Sequence, residues 1–216
     1  MNWRRLSGVA LLFLVVSLTV SPARAENPIR ILALGDSLTS GYGLADRESF
    51  PSQLEQALIA AGEKVALING GVAGDTSAGG LARLDWSLAD KPAIVILEFG
   101  ANDGLRGLDP AATRRNLAAM LTRLTQDGIP TLLVGMKAPR NLGADYVAAF
   151  DPIYEDLAKQ FQLPLDPFFL DGVAGDPALN QSDGIHPNAA GVAVIVKRIA
   201  PEIIALIKAR KDNGSG

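Results

Sequence analysis

The stretch ILALGDSLTSG, residues 31–41, passes directly from four apolar residues to Gly35, Asp36 and Ser37. An apolar run of this kind favours a buried strand, and the small polar residues behind it favour a tight turn at the strand's carboxyl end. Such a turn can reverse the chain, hold a phosphate or present a reactive serine. Only the rest of the chain can decide between these three readings.

Short apolar runs alternate with longer helical patterns along the remainder of the chain. The predicted strands cover 29–34, 65–68, 93–97 and 131–134, with a weaker fifth candidate at 163–168 that contains two prolines. The predicted helices cover 50–61, 76–90, 109–126, 145–162 and 187–209. This alternation predicts one α/β domain, a three-layer α/β/α sandwich around a parallel sheet of four or five strands.

The first 25 residues have the pattern of a secretory signal peptide. Arg4 and Arg5 precede an apolar run over 8–20, and Ala23-Arg24-Ala25 supplies small residues at a cleavage site. The alternative, an uncleaved membrane anchor, is disfavoured because the run is shorter than the ~20 residues of a span. We therefore expect a signal peptide at 1–25, a single folded domain at 26–210 and a flexible tail at 211–216. The mature protein would be periplasmic or secreted, with no stable membrane insertion.

Composition excludes several kinds of chemistry. Without residues 1–25 the chain has 17 basic and 23 acidic side chains, a formal charge of −6, which gives no reason to expect a nucleic-acid partner. The absence of cysteine excludes disulfides, thiolate catalysis, cysteine-bound zinc and a lipid-bearing cysteine. With a single histidine, His186, a histidine-rich metal site cannot be built, and any imidazole base must be this residue. Composition therefore disfavours both a cysteine-bound and a histidine-rich metal site.

Polar residues that could carry chemistry follow the predicted strands. Ligand sites in parallel sheets lie beyond the carboxyl ends of the strands, and Ser37 follows the first of them. A serine hydroxyl needs a neighbouring base, for which His186 is the one available imidazole. Asp183 lies three residues before His186 and could orient its ring. Taken alone, this Asp-x-x-His pair is more typical of a turn or a helix cap.

Acyl transfer also requires hydrogen-bond donors for the developing oxyanion. The backbone N–H groups of Ser37 and Gly74 and the side-chain amide of Asn102 are the candidates. Other interpretations exist for each loop, since the residues from Gly74 to Ser77 can simply cap a helix and an asparagine is common in turns.

Several alternative motifs fail on spacing. The chain has no phosphate-binding Gly-x-x-x-x-Gly-Lys-Ser/Thr sequence after Gly35, and Gly41-Tyr42-Gly43 is not placed as a dinucleotide loop would be. Thr39 occupies the position of the second glycine in the Gly-x-Ser-x-Gly elbow of α/β-hydrolases. Glu98 and Asp103 could be read as paired carboxylates for sugar hydrolysis. We expect instead that Glu98 ends a strand and that Asp103 braces the Asn102 loop.

Four blocks of the sequence together resemble the SGNH (GDSL-type) hydrolase family. They are Gly35-Asp36-Ser37-Leu38, Gly74, Gly100-Ala101-Asn102-Asp103 and Asp183-Gly184-Ile185-His186-Pro187, in the family's order. The resemblance implies a flavodoxin-like fold with a shallow, open, cofactor-free site. It also implies Ser37 as nucleophile, His186 as general base and acid, Asp183 as its partner, and an oxyanion hole of Ser37, Gly74 and Asn102.

The function implied is a serine esterase that forms an acyl-enzyme on Ser37. Its expected substrates are aryl or short-to-medium acyl esters, with acyl thioesters and lysophospholipids as further candidates. The loops at 104–110 and 139–146 would supply the apolar walls of the acyl site, with four candidate side chains: Leu105, Leu108, Leu142 and Tyr146. Two alternatives are a carbohydrate O-deacetylase and a non-catalytic binding protein on the same fold. We expect a monomer.

Overall fold

Strands and helices alternate through residues 27–213, the part of the chain that the computed structural model describes. The strands are β1 (Ile29–Gly35), β2 (Val65–Gly71), β3 (Ile94–Glu98), β4 (Thr131–Val134) and β5 (Leu165–Asp166). The helices are α1 (Ser37–Ser40), α2 (Phe50–Ala60), α3 (Ser77–Ala82), α4 (Leu84–Ser87), α5 (Ala101–Leu105), α6 (Pro110–Gln126), α7 (Ala144–Phe150), α8 (Ile153–Phe161) and α9 (Ala189–Asn213). Short 3₁₀ turns lie at Asp46–Glu48 and Arg140–Leu142. The expected signal peptide and residues 214–216 of the expected tail lie outside the described residues.

The five strands form one parallel sheet in the order β2-β1-β3-β4-β5. Helix α2 packs against β2 and α9, whereas α3 packs against α6 and α6 against α8. Right-handed crossovers place these two sets of helices on opposite faces of the sheet. The predicted three-layer α/β/α sandwich with a flavodoxin-like sheet is therefore confirmed. The strand order reverses between β1 and β3, and such folds bind ligands at this switch point, beyond the carboxyl ends of the strands.

Burial on both faces explains the continuous apolar strands. Every residue of β3 and β4 is buried, as are the last five residues of β1. Strands that are covered by helices on both sides need apolar side chains at consecutive positions rather than at alternate ones. Glu98, at the end of β3, is the charged exception and is completely buried.

Two predicted helices are interrupted. The helix predicted at 76–90 is divided into α3 and α4 at Arg83, whose guanidinium bonds the Asp75 carboxylate at 2.7 Å and the Gly35 carbonyl at 2.9 Å. The helix predicted at 145–162 is divided into α7 and α8 by Pro152, which has no N–H to continue the helical hydrogen bonds.

The ends of some elements also differ from prediction. The last helix was predicted over 187–209, but it begins at Ala189 and extends to Asn213, into the segment expected to be a tail. The fifth strand is two residues long rather than six, and α1 and α5 were not predicted. Helix α6 begins as expected, with the Asp109 carboxylate accepting the Ala111 N–H at 2.9 Å.

Candidate active site

Ser37 lies beyond the carboxyl end of β1, as the first residue of α1. Asp36 precedes it, and the Asp36 carboxylate accepts the Leu38 N–H at 2.9 Å, which caps this short helix. A side chain at position 35 would collide with Thr39 and Glu98, so the turn requires glycine there. The turn places Ser37 beyond the carboxyl end of β1, beside the point where the strand order reverses.

Ser37, His186 and Asp183 form a continuous relay of hydrogen bonds. The Ser37 Oγ lies 3.0 Å from Nε2 of His186, and Nδ1 of the same ring lies 2.7 Å from Oδ2 of Asp183. The serine and the histidine are 149 positions apart in the sequence, so this proximity is created by the fold. The distances are those of a nucleophile beside its base and of a base beside its orienting group.

Backbone donors hold the Asp183 carboxylate in its ionised form. Its Oδ1 accepts the His186 N–H at 3.0 Å and the Ile185 N–H at 2.9 Å. The His186 backbone bond, followed by the imidazole bond, lowers the pKa of Asp183 to about 2. An ionised carboxylate can only accept, so it requires the proton of the neutral imidazole on Nδ1. Nε2 is then left with a lone pair directed at Ser37.

The three residues predicted to form the oxyanion hole, Ser37, Gly74 and Asn102, line one cavity. Within residues 27–213, no hydrogen bond occupies the backbone N–H of Ser37 or of Gly74. Gly74 has φ of +82°, a left-handed conformation that favours glycine, and its carbonyl accepts from Arg106 at 2.7 Å. The Asn102 amide nitrogen donates one hydrogen to Oδ2 of Asp36 at 3.1 Å, which leaves its second hydrogen available.

Asp103 fixes the loop that carries Asn102. Its carboxylate accepts the Ser77 N–H at 2.8 Å, the Ser77 hydroxyl at 2.5 Å and the Thr113 hydroxyl at 3.0 Å. These bonds tie the start of α5 to α3 and α6. Asp103 is buried and so is Glu98, and neither lines the cavity beside Ser37. The alternative of paired carboxylates for sugar hydrolysis therefore has no support in the structure.

A cavity of about 400 Å³ adjoins the Ser37 hydroxyl. Its walls are mainly apolar and its mouth is open, since the side chains of Tyr42, Leu105 and Ile185 at the rim are about half exposed. The cavity is lined by Ser37, Leu38, Tyr42, Ala73, Gly74, Ala101, Asn102, Leu105, Met136, Lys137, Pro139, Phe168, Leu170, Asp183, Ile185 and His186.

Of the four predicted wall residues, the cavity includes one. Leu105 lines it, but Leu108, Leu142 and Tyr146 do not. The Tyr146 hydroxyl donates to the Leu108 carbonyl at 2.8 Å and its ring stacks on Phe150. Leu108, Leu142 and Tyr146 therefore stay predictions that this cavity does not include.

The walls that sequence reasoning missed follow β4 and β5. Met136 and Lys137 come shortly after β4, and Phe168 and Leu170 come after β5, whereas Pro139 lies in the predicted loop at 139–146. The rule that located Ser37 at a strand end applies equally to these residues. The sequence does not reveal them, because the fifth strand is only two residues long and apolar side chains in a loop resemble ordinary core residues.

No metal or membrane feature accompanies this site in the described part of the chain. Between residues 27 and 213, no group of three or more His, Cys, Asp and Glu side chains is arranged to hold a metal ion. No helix over the same residues combines the length and apolar character needed to cross a bilayer.

The fold and the relay define the class of serine hydrolases with an α/β/α sandwich. A model of the GDSL-like lipase/acylhydrolase family matches residues 33–194, and the chain belongs to this family. It is a carboxylic ester hydrolase, as are relatives that match it over most of its length.

Two curated relatives and one solved structure illustrate the similarity. Esterase TesA of Pseudomonas aeruginosa is 40% identical over 82% of this chain and 89% of its own length. The thioesterase 1/protease 1/lysophospholipase L1 of Escherichia coli (strain K12) is 38% identical over 91% of each chain. The crystal structure of AlinE4, an SGNH-hydrolase family esterase, superposes with a TM-score of 0.71 at 46% identity, over 85% of this chain and 98% of that one.

Proposed function

We propose that Ser37 is the nucleophile of this serine esterase, with His186 as general base and acid and Asp183 as the group that orients the imidazole. The observation that carries the proposal is the unbroken relay from the Ser37 Oγ through His186 to Asp183, at 3.0 and 2.7 Å. In the first step the Ser37 oxygen attacks the ester carbonyl while Nε2 of His186 takes the hydroxyl proton.

The oxyanion of the tetrahedral intermediate would be held by the N–H groups of Ser37 and Gly74 and by the Asn102 amide. The unoccupied N–H groups and the spare amide hydrogen support this assignment. Each well-placed donor of this type contributes about 3–4 kcal/mol to the transition state. His186 then protonates the leaving alcohol, and the acyl group stays on Ser37. Water activated by His186 releases the acid and regenerates the enzyme.

The chemistry of the cavity supports esters with an apolar acyl or aryl group as substrates. Phe168, Leu170 and Met136 line a space of about 400 Å³ beside the nucleophile. The name of the Escherichia coli relative adds thioesters and lysophospholipids to the candidates. An apolar wall offers little to the hydroxyl groups of a sugar, so a carbohydrate O-deacetylase is the second choice.

The proposal also covers the enzyme's location, partners, cofactor requirement and oligomeric state. The basic start, apolar run and Ala-x-Ala site of residues 1–25 support export to the periplasm or beyond. The charge of −6 after their removal supports small ester substrates rather than nucleic acid as partners. The relay uses only protein side chains, so the proposed reaction requires no metal or other cofactor. We propose a monomer, because a single chain supplies every residue of the site.

The experiment compares three forms of the mature protein: wild type, Ser37→Ala and Ser40→Ala. Ser40 is a matched control on the same helix, where its hydroxyl donates to the Ser37 carbonyl at 3.2 Å. Hydrolysis of p-nitrophenyl esters and acyl-CoA from acetyl to palmitoyl should fall at least about 10³-fold in Ser37→Ala. Ser40→Ala should stay within about threefold of wild type, since one long, partly buried hydrogen bond contributes about 1 kcal/mol or less.

A fluorophosphonate probe supplies an independent measurement. It should label wild type and Ser40→Ala on the peptide that contains Ser37, and it should leave Ser37→Ala unlabelled. Full ester hydrolysis by Ser37→Ala would overturn the mechanism. Activity confined to acetylated sugars would overturn the substrate class, and metal-reversible inhibition by a chelator would overturn the cofactor-free reaction.

A further inference from the structure

A buried pair of carboxyl groups lies beneath the Ser37 turn. Glu98 ends β3 and Asp36 follows β1, the neighbouring strand, and both side chains are completely buried. Oε2 of Glu98 accepts the Asp36 N–H at 3.3 Å and the Thr39 hydroxyl at 2.8 Å. Oε1 of Glu98 has no hydrogen-bond partner, and it is the one buried side-chain nitrogen or oxygen of residues 27–213 in that condition.

An ionised Glu98 would carry a large free-energy cost in this position. Burying a charge is unfavourable unless it is paired, and a second carboxylate beside it adds repulsion. Burial, and after it the charge of Asp36, raises the pKa of Glu98 well above its usual range. Burial also raises the pKa of Asp36, to about 6, against the opposing bonds from Leu38 and Asn102. Two such groups are less costly to bury when they hold one proton between them.

The charged groups around the pair do not replace this proton. The salt bridges of the described residues include neither Glu98 nor Asp36. The guanidinium of Arg83 reaches this turn, but it bonds the Gly35 carbonyl and the Asp75 carboxylate. Three other titratable groups interact electrostatically with the pair: Asp103, His186 and Tyr154. Tyr146 interacts in the same way with Tyr154.

We propose that Glu98 is a positioning residue that stays protonated at neutral pH and donates from Oε1 to the carboxylate of Asp36. Asp36 then remains an acceptor for the Leu38 N–H and for the Asn102 amide, at 2.9 and 3.1 Å. Through these two bonds the shared proton holds both the nucleophile turn and the amide of the oxyanion hole. The inference rests on the proposed function of Ser37 and Asn102.

The same arrangement explains Thr39. An α/β-hydrolase elbow would have glycine at this position, but here the buried Thr39 hydroxyl donates to Oε2 of Glu98. A protonated carboxyl has one oxygen that donates and one that accepts. Thr39 and the Asp36 N–H together satisfy the accepting oxygen, which leaves Oε1 as the place for the proton.

The first test measures unfolding and needs no activity. Unfolded glutamate ionises with a pKa of about 4.3, whereas Glu98 in the native protein would keep its proton at higher pH. The native state then binds one more proton than the unfolded state, so stability falls as pH rises. Between pH 6.5 and 8.5, the urea unfolding constant of wild type should rise more steeply with pH than that of Glu98→Gln, by up to about tenfold per pH unit where Glu98 keeps its proton. Parallel curves would overturn the proposal.

Carbon-13 labelling of the glutamate carboxyls tests the proton in the unmodified protein. At pH 7.5 one glutamate carboxyl of wild type should resonate at the protonated position and the others at the ionised position. A spectrum in which every glutamate is ionised overturns the proposal, whether or not Glu98→Gln folds.

The pH profile of kcat tests the positioning role. Glu98→Gln can still donate to Asp36, so it should keep at least about a third of the wild-type kcat at pH 7 and lose the alkaline decline that ionisation of Glu98 causes. Glu98→Leu cannot donate and should lose about 10- to 100-fold in kcat with little change in KM. Identical alkaline declines in wild type and Glu98→Gln would refute the link to Asn102. A failed proposed function would be recognised separately, by an active Ser37→Ala.

Discussion

Replacing Arg198 by methionine should destabilise the protein and weaken substrate binding at the same time. Arg198 lies on α9, and its guanidinium bonds the Asp166 carboxylate at 2.8 Å. It also donates to the carbonyls of Phe168, Phe169 and Asp171 at 2.8 to 3.1 Å. The segment held in this way carries one wall of the cavity, because Phe168 lines it.

The expected loss of unfolding free energy in Arg198→Met follows from the burial of Arg198 and Asp166. The side chain of Asp166 is 3% exposed, so loss of its partner leaves a buried charge, for which about 3–5 kcal/mol is typical. Arg198 itself is 29% exposed, which lets water replace part of the lost interaction. We therefore expect the low end, about 3 kcal/mol. With a urea m-value of about 2 kcal/mol/M, the unfolding midpoint should fall by about 1.5 M.

The assay is urea unfolding of wild type, Arg198→Met, Asp166→Asn and the double variant. Asp166→Asn removes the stranded charge, so the double variant should be less destabilised than the sum of the single variants by about 1–2 kcal/mol. In kinetic measurements on folded Arg198→Met, KM for a long-chain ester should rise about fivefold, equivalent to about 1 kcal/mol of binding. Additive costs, or a cost below about 1 kcal/mol for Arg198→Met, would refute the reasoning.

Three further changes test other parts of the structure. Asp183→Asn should lower kcat about 10³- to 10⁴-fold, because a neutral amide no longer selects the useful tautomer; steady-state kinetics measure this. Leu105→Ala should raise KM for long-chain esters about fivefold, while Leu142→Ala, which removes a side chain outside the cavity, should leave KM unchanged. Gly80→Ala should cost about 1–3 kcal/mol in urea unfolding, because the new methyl group meets the ring of Phe99 and this outweighs the better helix propensity of alanine.

Each of these three predictions has an outcome that would contradict it. An Asp183→Asn enzyme within about tenfold of wild type would show that backbone bonds alone orient the ring. Equal KM changes for the two leucine variants would place both side chains in the acyl site. A stabilised Gly80→Ala would mean that the Phe99 ring can move aside.

The proximity of Ser37, His186 and Asp183 could be predicted from the sequence because the chemistry and the position of these residues agree. Ser37 and Asn102 follow strands, and the one histidine of the chain restricts the base to His186. Each inference needs only the rule that strand ends meet at one edge of a parallel sheet. The alternation of apolar runs with helical patterns fixed the layers of the fold in the same way.

Features that depend on contacts between distant segments could not be predicted. The break at Arg83 depends on Asp75 and on the Gly35 carbonyl, and no periodicity within 76–90 reveals these partners. Phe168 faces the cavity because Arg198, about 30 positions later, holds its loop. Glu98 correctly appeared as a strand end, but its unpartnered oxygen emerges only when Asp36 and Thr39 lie around it.

Because the chain has a single histidine, His186 can serve as a built-in reporter in nuclear magnetic resonance spectra. Every imidazole signal in a nuclear magnetic resonance spectrum of this chain must come from His186, with no assignment needed. The ring of Tyr42 lies 4.8 Å from that imidazole, tilted by 40°, so its ring current acts on the same signal. Binding of an ester analogue or movement of the rim would therefore be visible in one resolved peak, and inhibitors could be ranked without a chromogenic substrate.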